Sequence, residues 1–189
     1  MADLVRLFNR SIGRVIDRVD QVGAGQWSSP TPCSEWDVRT LVNHLTYEQL
    51  WAPHLVAGET IAEVGDRYDG DVLGDDPPAA ARTAAHGSAA AFAAADLDAI
   101  VHLSFGDVPC RDYLNQMLTD AEVHGWDLAV ATGQDPALDG EVVALLLPTL
   151  VEQEELIRAS GVFGEAVTVS EDADDATRLL ALLGRQVPD

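Results

Sequence analysis

A chain of 189 residues is long enough for one full hydrophobic core and too short to require two. Apolar residues make up 47% of it, an ordinary globular share, and no apolar run approaches the length that crosses a bilayer. The 32 Asp and Glu stand against 11 basic residues, all Arg with no Lys, and the net charge of −21 gives a field that repels nucleic acid and anionic membrane surfaces.

The opening stretch "MADLVRLFNRSIGRVIDRVD" spreads its arginines through an amphipathic pattern instead of placing them ahead of an apolar block. It does not read as a secretory signal, and a cytoplasmic protein is expected. Leu4, Phe8, Ile12, Val15, Ile16 and Val19 recur at helical steps, predicting a helix over residues 3–22 with one apolar face. Arg6, Arg10, Arg14 and Arg18 make a stripe nearly opposite, read as a solvated face.

"GAGQWSSPTPCSEWDV" is a turn-rich stretch leading into a second helix, with Ser34 as its N-cap and Asp37 as the capping-box partner. That helix carries "WDVRTLVNHLTYEQLWAPHLVAG", weakened at Pro53 and ended near Gly58. Residues 59–76 hold seven acids and three glycines and read as a solvated, mobile loop. An Ala-rich third helix with Pro in its first turn follows, then a short strand and turn in "DAIVHLSFGDVPCRDY". A fourth helix spans about 111–132 with Gly133 closing it, and a fifth covers about 140–159 with Pro148 as a weak point. "GVFGEAVTVSEDADDATRLLALLGR" gives an extended piece and a short amphipathic helix. With no repeat and no linker, the expectation is a single domain over 1–189, an all-α antiparallel four-helix bundle with a short extended segment or hairpin and a small C-terminal helix.

The chemistry gathers on the second and fourth helices. "DAEVHGWDLA" places Asp120, His124 and Asp127 along one helix face. Asp120 and His124 lie one turn apart, about 6 Å along the axis, which suits two ligands reaching one divalent ion. His44 sits beside Leu41, Val42 and Leu45, with Glu48 one turn further. Two imidazoles and a carboxylate with an open position make a catalytic metal set, suited to zinc and also to iron, nickel or manganese. Spacing alone favours the plainer reading, a hydrogen-bonded Asp120–His124 pair and a structural His44.

The other histidines, His54, His86 and His102, read as surface or boundary residues. Trp36, Trp51 and Trp126 read as bundle packing, with Trp51 able to line a pocket along His44's face. Cys33 and Cys110 form no disulfide framework or CxxC knuckle and read as free thiols. Cys33, at the entry to the second helix, reads as a turn or packing residue, although the helix dipole there can favour a thiolate.

"PTPCSEWDVRTLVNHL" followed about 75 residues later by "DAEVHGWDLA" resembles the mycothiol-dependent maleylpyruvate isomerase and DinB-like superfamily, and more narrowly a group of small metal-binding proteins of mycothiol-using bacteria. The closing "VTVSEDADDATRLLALLGR" is similar to that group's C-terminal end, so the resemblance covers nearly the whole chain. It implies a DinB-type bundle with a metal held by His44, from the second helix, and by Asp120 and His124, from an acid-x3-His step on a later one. The acid is Glu in the characterised isomerase and the shorter Asp in this chain. The resemblance also implies mycothiol as a cosubstrate and a small-molecule thiol or electrophile as partner, in a monomer or homodimer. With a metal bound, Glu48 and Asp127 become the catalytic candidates, as proton carrier or as the group orienting a ligand.

Overall fold

A computed structural model of the chain describes residues 4–161 and 164–187. These residues group into two compact units, 1–136 and 137–189.

The first unit is a four-helix bundle. Helix α1 (Leu4–Asp20) buries Phe8, Ile12, Val15 and Val19 of the predicted apolar face together with Leu7, while Leu4 and Ile16 are half-buried at its margin. Helix α2 (Val38–Val56) buries Val38, Leu41, Val42, Leu45 and Leu55. The short α3 (Ile61–Val64) lies between it and α4 (Pro77–Ala94). Strands β1 (Ile100–Leu103) and β2 (Gly106–Pro109) form the expected hairpin, with Ile100 opposite Pro109 and Leu103 opposite Gly106. Gly106 takes a positive φ of 140° at the turn, a conformation that favours a residue without Cβ. Helix α5 (Cys110–Thr132) starts directly from β2 and ends on Gly133 in the left-handed conformation.

Helix directions follow from their contacts. Phe8 meets Phe92 edge to face at 5.2 Å while Asp20 pairs with Arg82, so α1 and α4 run antiparallel. His44 of α2 meets Asp120 and His124 around and beyond the middle of α5, whereas Glu48 lies toward Tyr113 near its start, so these two also run antiparallel. The crossover through residues 57–76 lets α2 and α4 run alongside each other in the same direction, with Ser88 donating to Gln49. Small buried residues on α4, among them Ala81, Ala84 and Ala85, allow close helix approach there. At Gly125 of α5 an added Cβ would lie 2.9 Å from the Arg18 guanidinium and 3.3 Å from Val15, which explains the absent side chain.

Several local expectations need correction. Asp37, not Ser34, is the N-cap of α2: its carboxylate accepts from Thr40 N–H at 2.8 Å. The 59–76 stretch is fastened, not loose. Thr60 and Glu63 form a complete capping box on α3, and Val64 and Leu73 are buried. Asn43 bonds both Gly70 C=O and Val72 N–H, and Arg39 bonds Asp71 and Gly74 C=O. The arginine stripe is only partly solvated. Arg18 is buried and donates to the Asp135 carbonyl, and Arg14 pairs at 3.3 Å with Glu122, a buried carboxylate that also accepts from Ser11. The helical repeat placed these arginines away from the apolar face, but α5 presents an acid to that side.

In the second unit the predicted fifth helix is interrupted at Gln153. It forms α6 (Gly140–Glu152) and α7 (Glu154–Ser160), with Pro148 inside α6. The extended piece and small helix α8 (Asp175–Leu182) follow; Val167 N–H bonds Ala181 C=O, and α6 packs on α8.

Leu118 is fully buried on α5. Leu118→Ala is expected to lower stability by about 2–5 kcal/mol, read from urea unfolding, because the cavity cannot fully collapse.

Candidate metal centre between two helices

The antiparallel packing of α2 on α5 brings His44, Asp120 and His124 together. His44 Nε2 lies 3.2 Å from Asp120 Oδ1, and His124 Nε2 lies 3.4 Å from the same oxygen. One nitrogen from each ring and the carboxylate oxygen all fall within 4.8 Å of one another. Ligand atoms at about 2.0–2.1 Å from a tetrahedral ion stand about 3.3 Å apart, and the two separations to Asp120 Oδ1 match that spacing. The His124 side chain is 10% exposed, His44 and Asp120 about a quarter, which leaves an approach from one side.

The neighbouring groups are mostly acids. Asp127, fully buried, faces His124 Nδ1 across 2.9 Å, so a ring binding through Nε2 would donate its Nδ1–H to this carboxylate. Glu48 occupies the next turn of α2. Burial, reinforced by Asp120, pushes its carboxyl above the ordinary range, partly offset by His44 and His124. Burial works against the charged form of His44, but the hydrogen bond that Asp120 accepts from it, the charge of Asp120 and that of Glu48 prevail and raise the imidazole. Burial, Glu48 and Asp120 push the Tyr113 phenol up as well. Asp120, Glu48 and Asp127 therefore crowd two imidazoles in a half-dry space, an arrangement that a divalent cation would neutralise.

Two further residues belong to this place, and sequence reasoning gave them packing roles. Cys33 Sγ lies 3.3 Å from Asp127 Oδ2 and 3.8 Å from His124 Nδ1. Trp36 covers both rings, with centroids 4.8 Å from His44 and 5.5 Å from His124. Trp51, read as a packing residue able to line the pocket, is buried and packs with Tyr47 at 5.7 Å. A tight loop places Cys33 and Trp36. Thr31 Oγ1 donates to Trp36 C=O and accepts from Cys33 N–H, Trp36 N–H bonds Cys33 C=O, and Val38 N–H bonds Ser29 C=O. The turn-rich composition announces this loop, but not that it folds back over α5.

The remaining histidines lie elsewhere: His54 with Glu59 and Tyr68, His102 with Asp107, and His86 exposed.

A bundle with this pair of helices is shared with known proteins. The Mycothiol maleylpyruvate isomerase N-terminal domain family matches residues 8–129. An uncharacterized protein of Mycobacterium tuberculosis, found in two strains, is 34% identical over 181 residues, covering 88% of this chain and 88% of its own length. The crystal structure of a mutant mycothiol-dependent maleylpyruvate isomerase superposes with a TM-score of 0.66 at 14% identity, over 89% of this chain and 75% of that one. The chain belongs to the mycothiol maleylpyruvate isomerase N-terminal domain family, and its bundle is the fold of that isomerase, as the paired motifs imply. Among the described residues no helix is long and apolar enough to cross a membrane.

Thr31→Val keeps the side-chain volume and removes the hydrogen bonds that shape the Cys33–Trp36 loop. It is expected to cost about 1 kcal/mol in thermal unfolding and to speed alkylation of Cys33 several-fold, read by mass spectrometry.

Proposed function

We propose that the chain is a divalent-metal-dependent enzyme that joins a small thiol of the mycothiol type to a small electrophile, as a transferase or isomerase. The observation that supports this most is the convergence of His44, Asp120 and His124 from facing helices on one ion-sized point. Zinc suits the set first; nickel, iron and manganese suit it as well.

An ion in this seat supplies the positive charge that keeps a thiol as thiolate near neutral pH. The chain's own residues do the rest. His44 and His124 offer neutral nitrogens, and Asp127 holds the Nδ1–H of His124 so that Nε2 faces the seat. Glu48, which keeps its proton to higher pH than an ordinary carboxyl, stands one turn away to deliver it to the carbon next to the new C–S bond. In isomerisation the thiolate adds to a conjugated alkene, the former double bond rotates, and the same thiolate leaves. In transfer, the proton from Glu48 completes the adduct. Trp36 limits water at the rings.

The same indole favours a second reading, a noncatalytic metal- or small-ligand-binding bundle, because it covers two of the three donors. The two readings separate in one assay. Zinc-loaded protein is incubated with a small thiol and activated alkenes, beside His44→Ala and Glu48→Gln. The enzyme reading expects turnover lost in the first variant and reduced about 100-fold in the second. Stable zinc binding with no turnover for any thiol–alkene pair would leave the binding reading.

Metal binding should also displace a proton. His44 is raised above its usual value of about 6.5, so more of the ion-free protein carries His44⁺ near neutrality, and the ion must expel that proton. Zinc affinity is expected to rise with pH through the raised value and to level off above it. Calorimetry in buffers of different ionisation enthalpy should find proton release near pH 7; none, with affinity flat between pH 6 and 8, would contradict the role of His44.

A further inference from the structure

His124 has a second nitrogen, and its surroundings form another donor set. Nδ1 faces Asp127 Oδ2 at 2.9 Å and Cys33 Sγ at 3.8 Å, and that sulfur is 3.3 Å from the same Asp127 oxygen. We propose that Cys33 Sγ, His124 Nδ1 and Asp127 Oδ2 form a second cation seat, back to back with the first and selective for soft ions such as cadmium.

The geometry suits a metal better than nucleophilic catalysis. A Cys–His–Asp relay needs the thiol on one ring nitrogen and the carboxylate on the other, so that a proton can be passed through the ring. In this chain both groups face Nδ1. Around a tetrahedral ion with metal–sulfur of about 2.3 Å and metal–nitrogen or metal–oxygen of about 2.0–2.2 Å, ligand atoms stand about 3.3–3.6 Å apart. The three observed separations bracket that range; rotation of the Cys33 side chain adjusts the two sulfur distances, and a shift of a few tenths of an ångström between His124 and Asp127 opens the third. The three donors come from two elements: the α5 helix, which fixes His124 and Asp127, and the Thr31-pinned loop, which carries Cys33. Asp127 is fully buried while Cys33 is half-buried, so an ion would enter past the sulfur.

Sharing one imidazole makes the seats rivals. A neutral ring has one lone pair: with Nε2 in the first seat, Nδ1–H donates to Asp127, and with Nδ1 in the second, Nε2–H faces Asp120. Thiolate draws soft ions to the second seat, and oxygen with two imidazoles draws manganese or ferrous iron to the first. The second seat needs neither His44 nor Asp120, so it stands or falls separately from the function proposed above.

The test is cadmium titration of the full chain, followed by the ultraviolet thiolate-to-cadmium charge-transfer band. The band should appear in the parent, in His44→Ala and in Cys110→Ser, and vanish in Cys33→Ser. The cadmium dissociation constant should rise at least tenfold in His124→Ala and in Asp127→Asn, with folding checked by circular dichroism. In the unaltered chain, cadmium but not manganese should protect Cys33 from alkylation at least tenfold, a readout that requires no variant to fold. Cadmium bound without the band, a band that depends on Cys110, unchanged affinity in His124→Ala, or no cadmium protection of Cys33 would each overturn the proposal. Loss of the band in a folded His44→Ala would also overturn it, because the sulfur-bound ion would then depend on a ring outside the proposed seat.

Discussion

The packing of α2 against α5 along a polar stripe is the constraint on which the rest of the first unit depends. Two imidazoles and three carboxyl groups share a half-buried seam. Like charges in such a space raise one another, as Glu48 shows through its response to Asp120. An ordinary bundle would fill this seam with leucine. Keeping it polar costs stability unless a cation draws the groups together.

The scaffold serves that seam from several directions. Ser11 and Arg14 satisfy Glu122 on another face of α5, and the missing side chain at Gly125 lets α1 come close. Together these hold the helix that carries Asp120, His124 and Asp127 at fixed rotation and depth. On the other side, Asp37 caps α2 and Thr31 shapes the loop before it, so one short segment both starts the helix of His44 and lays Cys33 and Trp36 against His124. Fold, ligand orientation and solvent access at the centre thus depend on a few polar contacts around two helices.

The bundle was legible because its helices are strongly periodic. The apolar repeat of α1, the Gly133 stop of α5 and the strand–turn–strand pattern after α4 all appear as read. The meeting of His44 with Asp120 and His124 was legible because one-turn spacing survives into any helix, and the paired motifs said which helices face each other. What escaped depends on tertiary approach. Nothing within residues 31–36 indicates that their loop folds back onto α5, so Cys33 and Trp36 read as packing. Arg14 and Arg18 lie off the apolar stripe, and only the position of Glu122 on a neighbouring helix turns them inward. Composition made 59–76 look loose, whereas Asn43 and Arg39, two side chains of α2, fasten it. Pro148 marked a weak place in the later helix, and the interruption falls five residues beyond it, at Gln153.

Metal content tests the account most directly, measured by plasma mass spectrometry on tag-free protein beside His124→Ala, the one residue shared by both donor sets. The expected result is about one divalent ion per chain in the parent and none in a variant that circular dichroism finds folded. A parent that stays empty after exposure to zinc, nickel, iron and manganese, yet keeps its fold, would contradict the central claim and leave the seam as a hydrogen-bonded cluster.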